Sequence, residues 1–156
     1  MNLGESQARS LLTGARVARL ATADEDGQPH LVPVTFAVDG DRIYIAIDHK
    51  PKTTITGLKR LRNIQRNPSI SLIADHYEED WSRLWWIRVR GRGRVVADET
   101  EAERARALLV AKYPQYRSRP PRLFCALTKG SSTRVMTQHY PMDLLPSMAQ
   151  AAVFPE

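Results

Sequence analysis

Apolar and polar positions alternate along the first third of the chain in a way that predicts one short helix followed by strands. Ala8, Leu11 and Leu12 recur at helical spacing and predict a helix over residues 4–14. Alternating runs separated by turn residues predict three strands, at 16–22, 30–38 and 42–48. The Asp-Gly pair before the third strand is typical of a hairpin, so we expect an antiparallel meander.

Pro33 lies inside the second predicted strand. Proline has no N–H to donate to a neighbouring strand, so it is confined to edge strands and bulges. The pattern therefore indicates that residues 30–38 form an edge strand or contain a bulge.

The second part of the chain predicts two further helices and three further strands. Apolar residues spaced about three apart predict a helix of two or three turns inside residues 49–68, ended by Asn67-Pro68. A longer helix is expected over 97–114, with Asp98 as its N-cap. The strands are predicted at 69–75, 85–97 and 123–128. Six strands without strand–helix–strand alternation favour a mainly β fold, an antiparallel barrel with short helices.

Length and composition are those of one ordinary domain. The chain has 156 residues, 42% of them hydrophobic and 26% charged, which is typical of globular proteins. The single cysteine, Cys125, excludes an internal disulfide. The N-terminal residues do not resemble a signal peptide, and no run approaches the roughly 18 apolar residues of a membrane span. We therefore expect a cytoplasmic protein.

The charge of the chain is concentrated in one stretch, HKPKTTITGLKRLRNIQRNP (residues 49–68). It holds six basic residues and no acidic one, and the remainder of the chain has 17 basic against 17 acidic residues. Such a stretch fits a solvated helix face, a nucleic-acid surface or a phosphate site. The KPKTT turn favours phosphate, because lysines, hydroxyls and free N–H groups converge at a helix start.

Two other clusters have both a structural and a functional interpretation. Arginines at 88, 90, 92 and 94 lie on one face of a predicted strand, which can be a wet face or an anion surface. Trp81, Trp85 and Trp86 are the only tryptophans. The last two point to opposite sides of a strand, so one of them is expected at a subunit interface or against a ligand rather than in the core.

Candidate catalytic groups are scarce. The four histidines and the cysteine show no metal-ligand spacing, so no metal site is predicted. No Ser-His-Asp order, Gly-rich phosphate loop or carboxylate pair is present, so a bound cofactor is expected to carry any chemistry.

The elements LAT…DG.P…P and K.KT…L…NP, in this order and spacing, are the basis of a family resemblance. Residues 14–122 resemble the flavin/deazaflavin oxidoreductases of the pyridoxamine-phosphate-oxidase-like group, above all the branch that uses the deazaflavin coenzyme F420. The resemblance implies an antiparallel split β-barrel of the FMN-binding type over residues 1–128. It also implies a homodimer with the cofactor at the subunit interface.

The resemblance assigns the cofactor to a set of positions. The phosphate is placed on Lys52 and Thr53, with Lys50, Lys59 and Arg60 nearby. The ring system is placed along the second and third strands. Its expected neighbours there are Pro33, Val34, Thr35 and Ile47, and the partner subunit is expected to contribute Trp85 or Trp86.

The implied function is hydride transfer between the reduced deazaflavin and an unsaturated small-molecule substrate. Coenzyme F420 carries a phosphodiester and a glutamate tail, so it fits a basic stretch better than FMN, which has one phosphate. The alternatives are a coenzyme-binding protein without turnover, an FMN-dependent oxidase or reductase and, least favoured, a nucleic-acid-binding protein, since no aromatic residue is interleaved with the bases of 49–68.

The last 28 residues, 129–156, depart from the family pattern. They are either a real extension or the product of an altered reading frame. We expect weak order beyond Lys129, with little protection from hydrogen exchange.

Overall fold

A computed structural model describes residues 4–47 and 59–129. Three α-helices lie in these ranges: α1 (Glu5–Gly14), α2 (Lys59–Arg66) and α3 (Glu99–Lys112). The strands are β1 (Ala18–Ala23), β2 (Pro29–Val34), β3 (Phe36–Asp39), β4 (Arg42–Ile47), β5 (Ser69–His76), β6 (Trp85–Val95) and β7 (Leu123–Lys129). The KPKTT turn lies outside the described residues. The predicted tail, 129–156, also lies outside them, except for Lys129.

The seven described strands form one antiparallel sheet in the order β2-β1-β5-β6-β7-β4-β3. The edge strands β2 and β3 are joined by the single residue Thr35, so the sheet must curl until its two edges meet. This confirms the predicted antiparallel split β-barrel, in which β is the main structure and the helices are short.

The prediction of one strand over 30–38 is wrong in one respect, because this segment forms two strands, β2 and β3. Val34 pairs with Ala18 in β1, whereas Phe36 pairs with Ile45 in β4 at the opposite edge. The predicted three-stranded meander is therefore two separate strand pairs. The edge position of Pro33 in β2 is confirmed.

Two helices pack into the interior of the barrel near different ends of β6. The core cluster inside the barrel takes Ala8 and Leu12 from α1 and Leu61 and Ile64 from α2. α1 lines a small cavity together with Ile87 and Val89, near the start of β6. Ile64 lies instead beside Gly93, six residues further along the strand than Ile87. The two helices thus close opposite ends of the barrel.

The third helix covers the outer face of the sheet. Ala105 and Leu109 of α3 are buried with Tyr44 of β4 and Phe124 of β7 in a second core cluster. The predicted N-cap is confirmed, since an Asp98 side-chain oxygen accepts a hydrogen bond from the Glu101 N–H at 2.8 Å. No helix in the described ranges is long and apolar enough to cross a membrane.

Strand β6 has glycines at two positions, Gly91 and Gly93, that lie close to the neighbouring strands. A Cβ atom at Gly91 would lie 2.2 Å from the backbone oxygen of Thr128 in β7. At Gly93 it would lie 2.6 Å from the Cδ1 atom of Ile70 in β5. The backbone of β7 therefore approaches β6 closely at Gly91.

We predict that Gly91→Ala destabilises the protein by about 1–3 kcal/mol, the usual cost of overpacking, because a carbonyl in a paired strand cannot move aside. Gly14→Ala is the matched control, since a Cβ there meets nothing within 4 Å. Urea denaturation followed by circular dichroism measures both changes. Equal stability of Gly91→Ala and the parent protein would show that β6 and β7 are further apart than described.

Candidate anion-binding site

The start of α2 lies against the end of the β1–β2 pair. Asn63 donates a hydrogen bond to the Thr22 hydroxyl at 3.0 Å, and both side chains are buried. Thr22 pairs in register with His30 of β2. This contact fixes Lys59 and Arg60, the first two residues of α2, near His30.

Positive charge accumulates at this point. The pKa of His30 is lowered by burial of the ring and then by the nearby charges of Lys59 and Arg60. The Arg60 Nε atom is buried and has no hydrogen-bond partner among the described residues. A buried donor without a partner costs stability, and an anion placed there would satisfy it. The residues present therefore fit the phosphate of a cofactor.

Acidic residues from another turn pair with two of the six bases. The Lys59 ammonium lies 3.8 Å from an Asp24 carboxylate oxygen, and the Arg66 guanidinium lies 3.0 Å from one of Glu25. Both pairs are partly exposed, and such pairs contribute about 0–1 kcal/mol. Residues 49–68 contain no acidic residue, but two of their six bases, Lys59 and Arg66, pair with acidic residues elsewhere in the chain.

The structure places the other predicted site residues unevenly. Lys50, Lys52 and Thr53 lie outside the described residues. Pro33 is exposed on β2, whereas the Val34 and Ile47 side chains are buried in the barrel core, 6% and 2% exposed.

Thr35 contacts a group of residues that the sequence patterns did not single out. Its hydroxyl is 2.6 Å from that of Tyr116, and the next residue, Phe36, has the Lys112 Nζ atom 3.9 Å from its ring centroid. Burial, followed by the charge of Arg16, lowers the pKa of Lys112 to about 8. These contacts join segments about 80 residues apart, so no local sequence pattern predicts them.

The two tryptophans of β6 have different surroundings. Trp85 packs against the barrel core and stacks on His76, with the ring centroids 6.2 Å apart. Trp86 has the Arg88 guanidinium 5.8 Å from its ring centroid. Both are half-buried.

The arginine face of β6 is confirmed, but it is not uniform. Arg88 is half-buried, whereas Arg90, Arg92 and Arg94 are exposed, and Ile87 and Val89 face the core. Arg94 donates to the Glu101 carboxylate at 2.6 Å, and the Tyr44 hydroxyl donates to the same oxygen at 3.1 Å. At least this arginine holds α3 on the sheet rather than serving a ligand.

Metal ligands do not converge in the described ranges, where no three His, Cys, Asp or Glu side chains are grouped to hold an ion. Cys125 is buried in the barrel, and this burial raises the pKa of its thiol to about 12. The thiol is therefore protonated at neutral pH and unsuited to nucleophilic chemistry.

Comparison with known proteins identifies the family. Residues 5–129 match the family described as pyridoxamine 5'-phosphate oxidase. Because this match covers most of the chain, the protein belongs to that family, as the sequence resemblance implied. No curated protein matches the chain.

Solved structures show the same fold at low sequence identity. The conserved hypothetical protein Rv2991 of Mycobacterium tuberculosis has a TM-score of 0.69 at 19% identity, covering 86% of this chain and 84% of that one. The haem storage protein HutZ of Vibrio cholerae has a TM-score of 0.65 at 16% identity, covering 85% and 94%. An FAD-binding protein of Mycobacterium smegmatis has a TM-score of 0.61 at 18% identity, covering 88% and 99%.

We predict that the pKa of His30 lies below the usual 6.5 in the free protein. Lys59→Ala and Arg60→Ala should each raise it, and so should inorganic phosphate, because an anion stabilises the charged imidazolium. An NMR titration of the His30 ring protons, assigned with a His30→Gln variant, measures these shifts.

Arg62→Ala is the matched control, since Arg62 is an exposed cation of the same helix and the charges that lower the His30 pKa are those of Lys59 and Arg60. If neither the two substitutions nor phosphate changed the His30 pKa, His30 would not lie close to the cationic end of α2.

Proposed function

We propose that this protein is an oxidoreductase that uses the deazaflavin coenzyme F420 and transfers a hydride between the reduced coenzyme and an unsaturated small molecule. The observation that carries the proposal is the cationic end of α2, where the Arg60 Nε atom is buried with no hydrogen-bond partner in the described part of the chain and His30 has a lowered pKa. Membership of a cofactor-using oxidoreductase family supports it.

The length of the basic stretch favours F420 over FMN. Lys59, Arg60 and Arg62 follow one another along α2, and Lys50 and Lys52 precede them in the sequence. A phosphodiester with a glutamate tail can contact several of these bases, whereas the single phosphate of FMN needs only some of them. Asp24 and Glu25 form partly exposed ion pairs with two bases of the stretch, Lys59 and Arg66.

FMN is the alternative cofactor, and the family description favours it, since it names pyridoxamine 5'-phosphate oxidase. A coenzyme-binding protein without turnover is the alternative activity. It is favoured by the scarcity of acid–base groups among the described residues near the anion site, where burial and the charges of Lys59 and Arg60 lower the pKa of His30.

The residues of the chain have distinct proposed roles. The coenzyme, when bound, supplies the hydride chemistry. Lys52, Thr53 and Arg60 hold its anionic part, assisted by Lys50 and Lys59. The segment Pro33–Thr35 lies along the ring together with Ile47. Because the Val34 and Ile47 side chains face the core, they would present backbone atoms to the ring rather than side chains.

A homodimer completes the proposed site, with Trp85 or Trp86 of a second copy covering the ring. The outer face of β2, β1 and β5 supports a subunit contact, because its side chains are at most half-buried and Leu31 is 65% exposed. We also propose that residues 1–128 form the barrel domain and that the protein acts in the cytoplasm.

We predict that the purified protein binds F420 more tightly than FMN in a fluorescence titration. Arg60→Ala and Lys52→Ala should each weaken F420 binding by about 1.5–3 kcal/mol, the value of a charge-assisted hydrogen bond. Asp98→Ala, far from α2 in the sequence and at the start of α3, is a control for loss of stability alone.

Three outcomes separate the candidate functions. Tighter FMN binding selects the FMN alternative. F420 binding without reduction of any substrate in a screen with the reduced coenzyme selects the binding protein. Failure to bind either coenzyme contradicts the proposal.

A further inference from the structure

The residues that follow α3 contact the junction between β2 and β3. At this junction Val34 pairs with one edge of the sheet and Phe36 with the other, so the backbone changes partners across Thr35 alone. Two tyrosines from the end of α3 lie against it. Tyr113 is the C-cap of α3, and Tyr116 lies in the short 3-10 helix that follows.

The Tyr113 hydroxyl is bonded to both polar groups of the Phe36 backbone. The Phe36 N–H donates to this hydroxyl at 3.1 Å, and the hydroxyl proton is shared between the carbonyl oxygens of Phe36, at 3.1 Å, and Arg16, at 3.0 Å. Tyr113 is 5% exposed, so these bonds are shielded from water. One side chain therefore joins the residue before β1 strands begin, Arg16, to the start of β3.

This hydroxyl takes the place of a neighbouring strand. β3 is an edge strand of the described sheet, and the Ala46 N–H of β4 donates to the Thr35 carbonyl. Because hydrogen-bonded and non-hydrogen-bonded pairs alternate in an antiparallel ladder, the N–H and C=O of the next residue, Phe36, point away from β4. Loss of the Tyr113 hydroxyl would remove a partner from buried backbone groups, which is costly.

Further contacts fix the same junction. The Tyr116 hydroxyl lies 2.6 Å from that of Thr35, and the two tyrosine rings meet edge to face with their centroids 5.8 Å apart. The Lys112 ammonium lies 3.9 Å from the centroid of the Phe36 ring, a cation–π contact. The end of α3 thus holds the backbone and the side chains of two consecutive residues.

Precision at this junction matters for the proposed coenzyme site. The ring is expected along residues 33–35, and the buried Val34 side chain leaves backbone atoms to contact it. A backbone surface binds a flat ring in one orientation only if the backbone itself is held in place, since small displacements of a site cost much of its binding and rate.

We propose that Tyr113 is a positioning residue for the coenzyme ring and that its hydroxyl sets the backbone on which the ring binds. Tyr116 has the same role at the Thr35 side chain. The inference rests on the proposed function for the place of the ring, but not on the choice between F420 and FMN, because both carry a flat three-ring system. A hydroxyl that only stabilises the fold is the competing interpretation.

The test is a fluorescence titration of the full chain with F420 and with FMN. Tyr113→Phe should weaken binding of the coenzyme that the parent protein binds by about tenfold, because the backbone beneath the ring loses its fixed position. Tyr44→Phe is the matched control. Tyr44 is also fully buried on the outer face, and its hydroxyl donates to Glu101 at 3.1 Å, away from the junction. It should lose stability without losing affinity.

Two further measurements separate positioning from stability. Inorganic phosphate should shift the His30 pKa equally in the parent protein and in Tyr113→Phe, since the anion site does not involve Tyr113. Without coenzyme, the Phe36 amide should exchange faster with deuterium in Tyr113→Phe than in Tyr44→Phe. Tyr116→Phe, at a half-buried position, should fold normally and also weaken coenzyme binding.

Unchanged coenzyme affinity of Tyr113→Phe, or an equal loss in Tyr44→Phe, would overturn the inference and leave the proposed function intact. Loss of the phosphate effect on His30 together with coenzyme binding would show a general structural role and overturn it as well. A parent protein that binds neither coenzyme removes the proposed function and this inference together. Binding of FMN alone, weakened by Tyr113→Phe, removes only the deazaflavin assignment.

Discussion

The closure of one barrel end by α2 is the constraint on which the rest of the structure depends. Leu61 and Ile64 complete the core, and the buried hydrogen bond from Asn63 to Thr22 fixes the helix against β1. Breaking that bond would leave buried polar groups unsatisfied, so the orientation of α2 is strongly determined. Its polar start must then lie at the barrel rim, where Arg60 and His30 meet. The packing of the core and the position of the cations therefore have one physical origin.

Most of the fold was predictable, because side chains along a strand alternate between two faces, one of which lines the barrel core. The break at Thr35 was not, since PHLVPVTFAVD alternates without interruption and only Pro33 marks an edge. The pairing of β7 with both β4 and β6 joins segments far apart in the sequence. Such pairings depend on closure of the whole sheet, which no local pattern contains.

The candidate site was predictable in its cations and not in their surroundings. Lys59 and Arg60 follow from the charge of one stretch. Their neighbours Asp24 and His30 come from the β1–β2 pair, about 30 residues earlier, and reach α2 only through the fold. One of Trp85 and Trp86 was expected at a ligand or an interface, but the groove that Trp85 lines also requires α1 and β1. The assignments within KPKTT remain predictions, because that turn lies outside the described residues.

The central claim is that the α2 end of the barrel holds the anionic part of the coenzyme. Hydrogen–deuterium exchange with and without F420, analysed by mass spectrometry of short peptides, tests it most directly. Binding should slow exchange in residues 50–66 and along Pro29–Val34, while α3 remains unchanged and serves as an internal reference. Protection confined to other parts of the barrel, or no change at saturating coenzyme, would contradict the account.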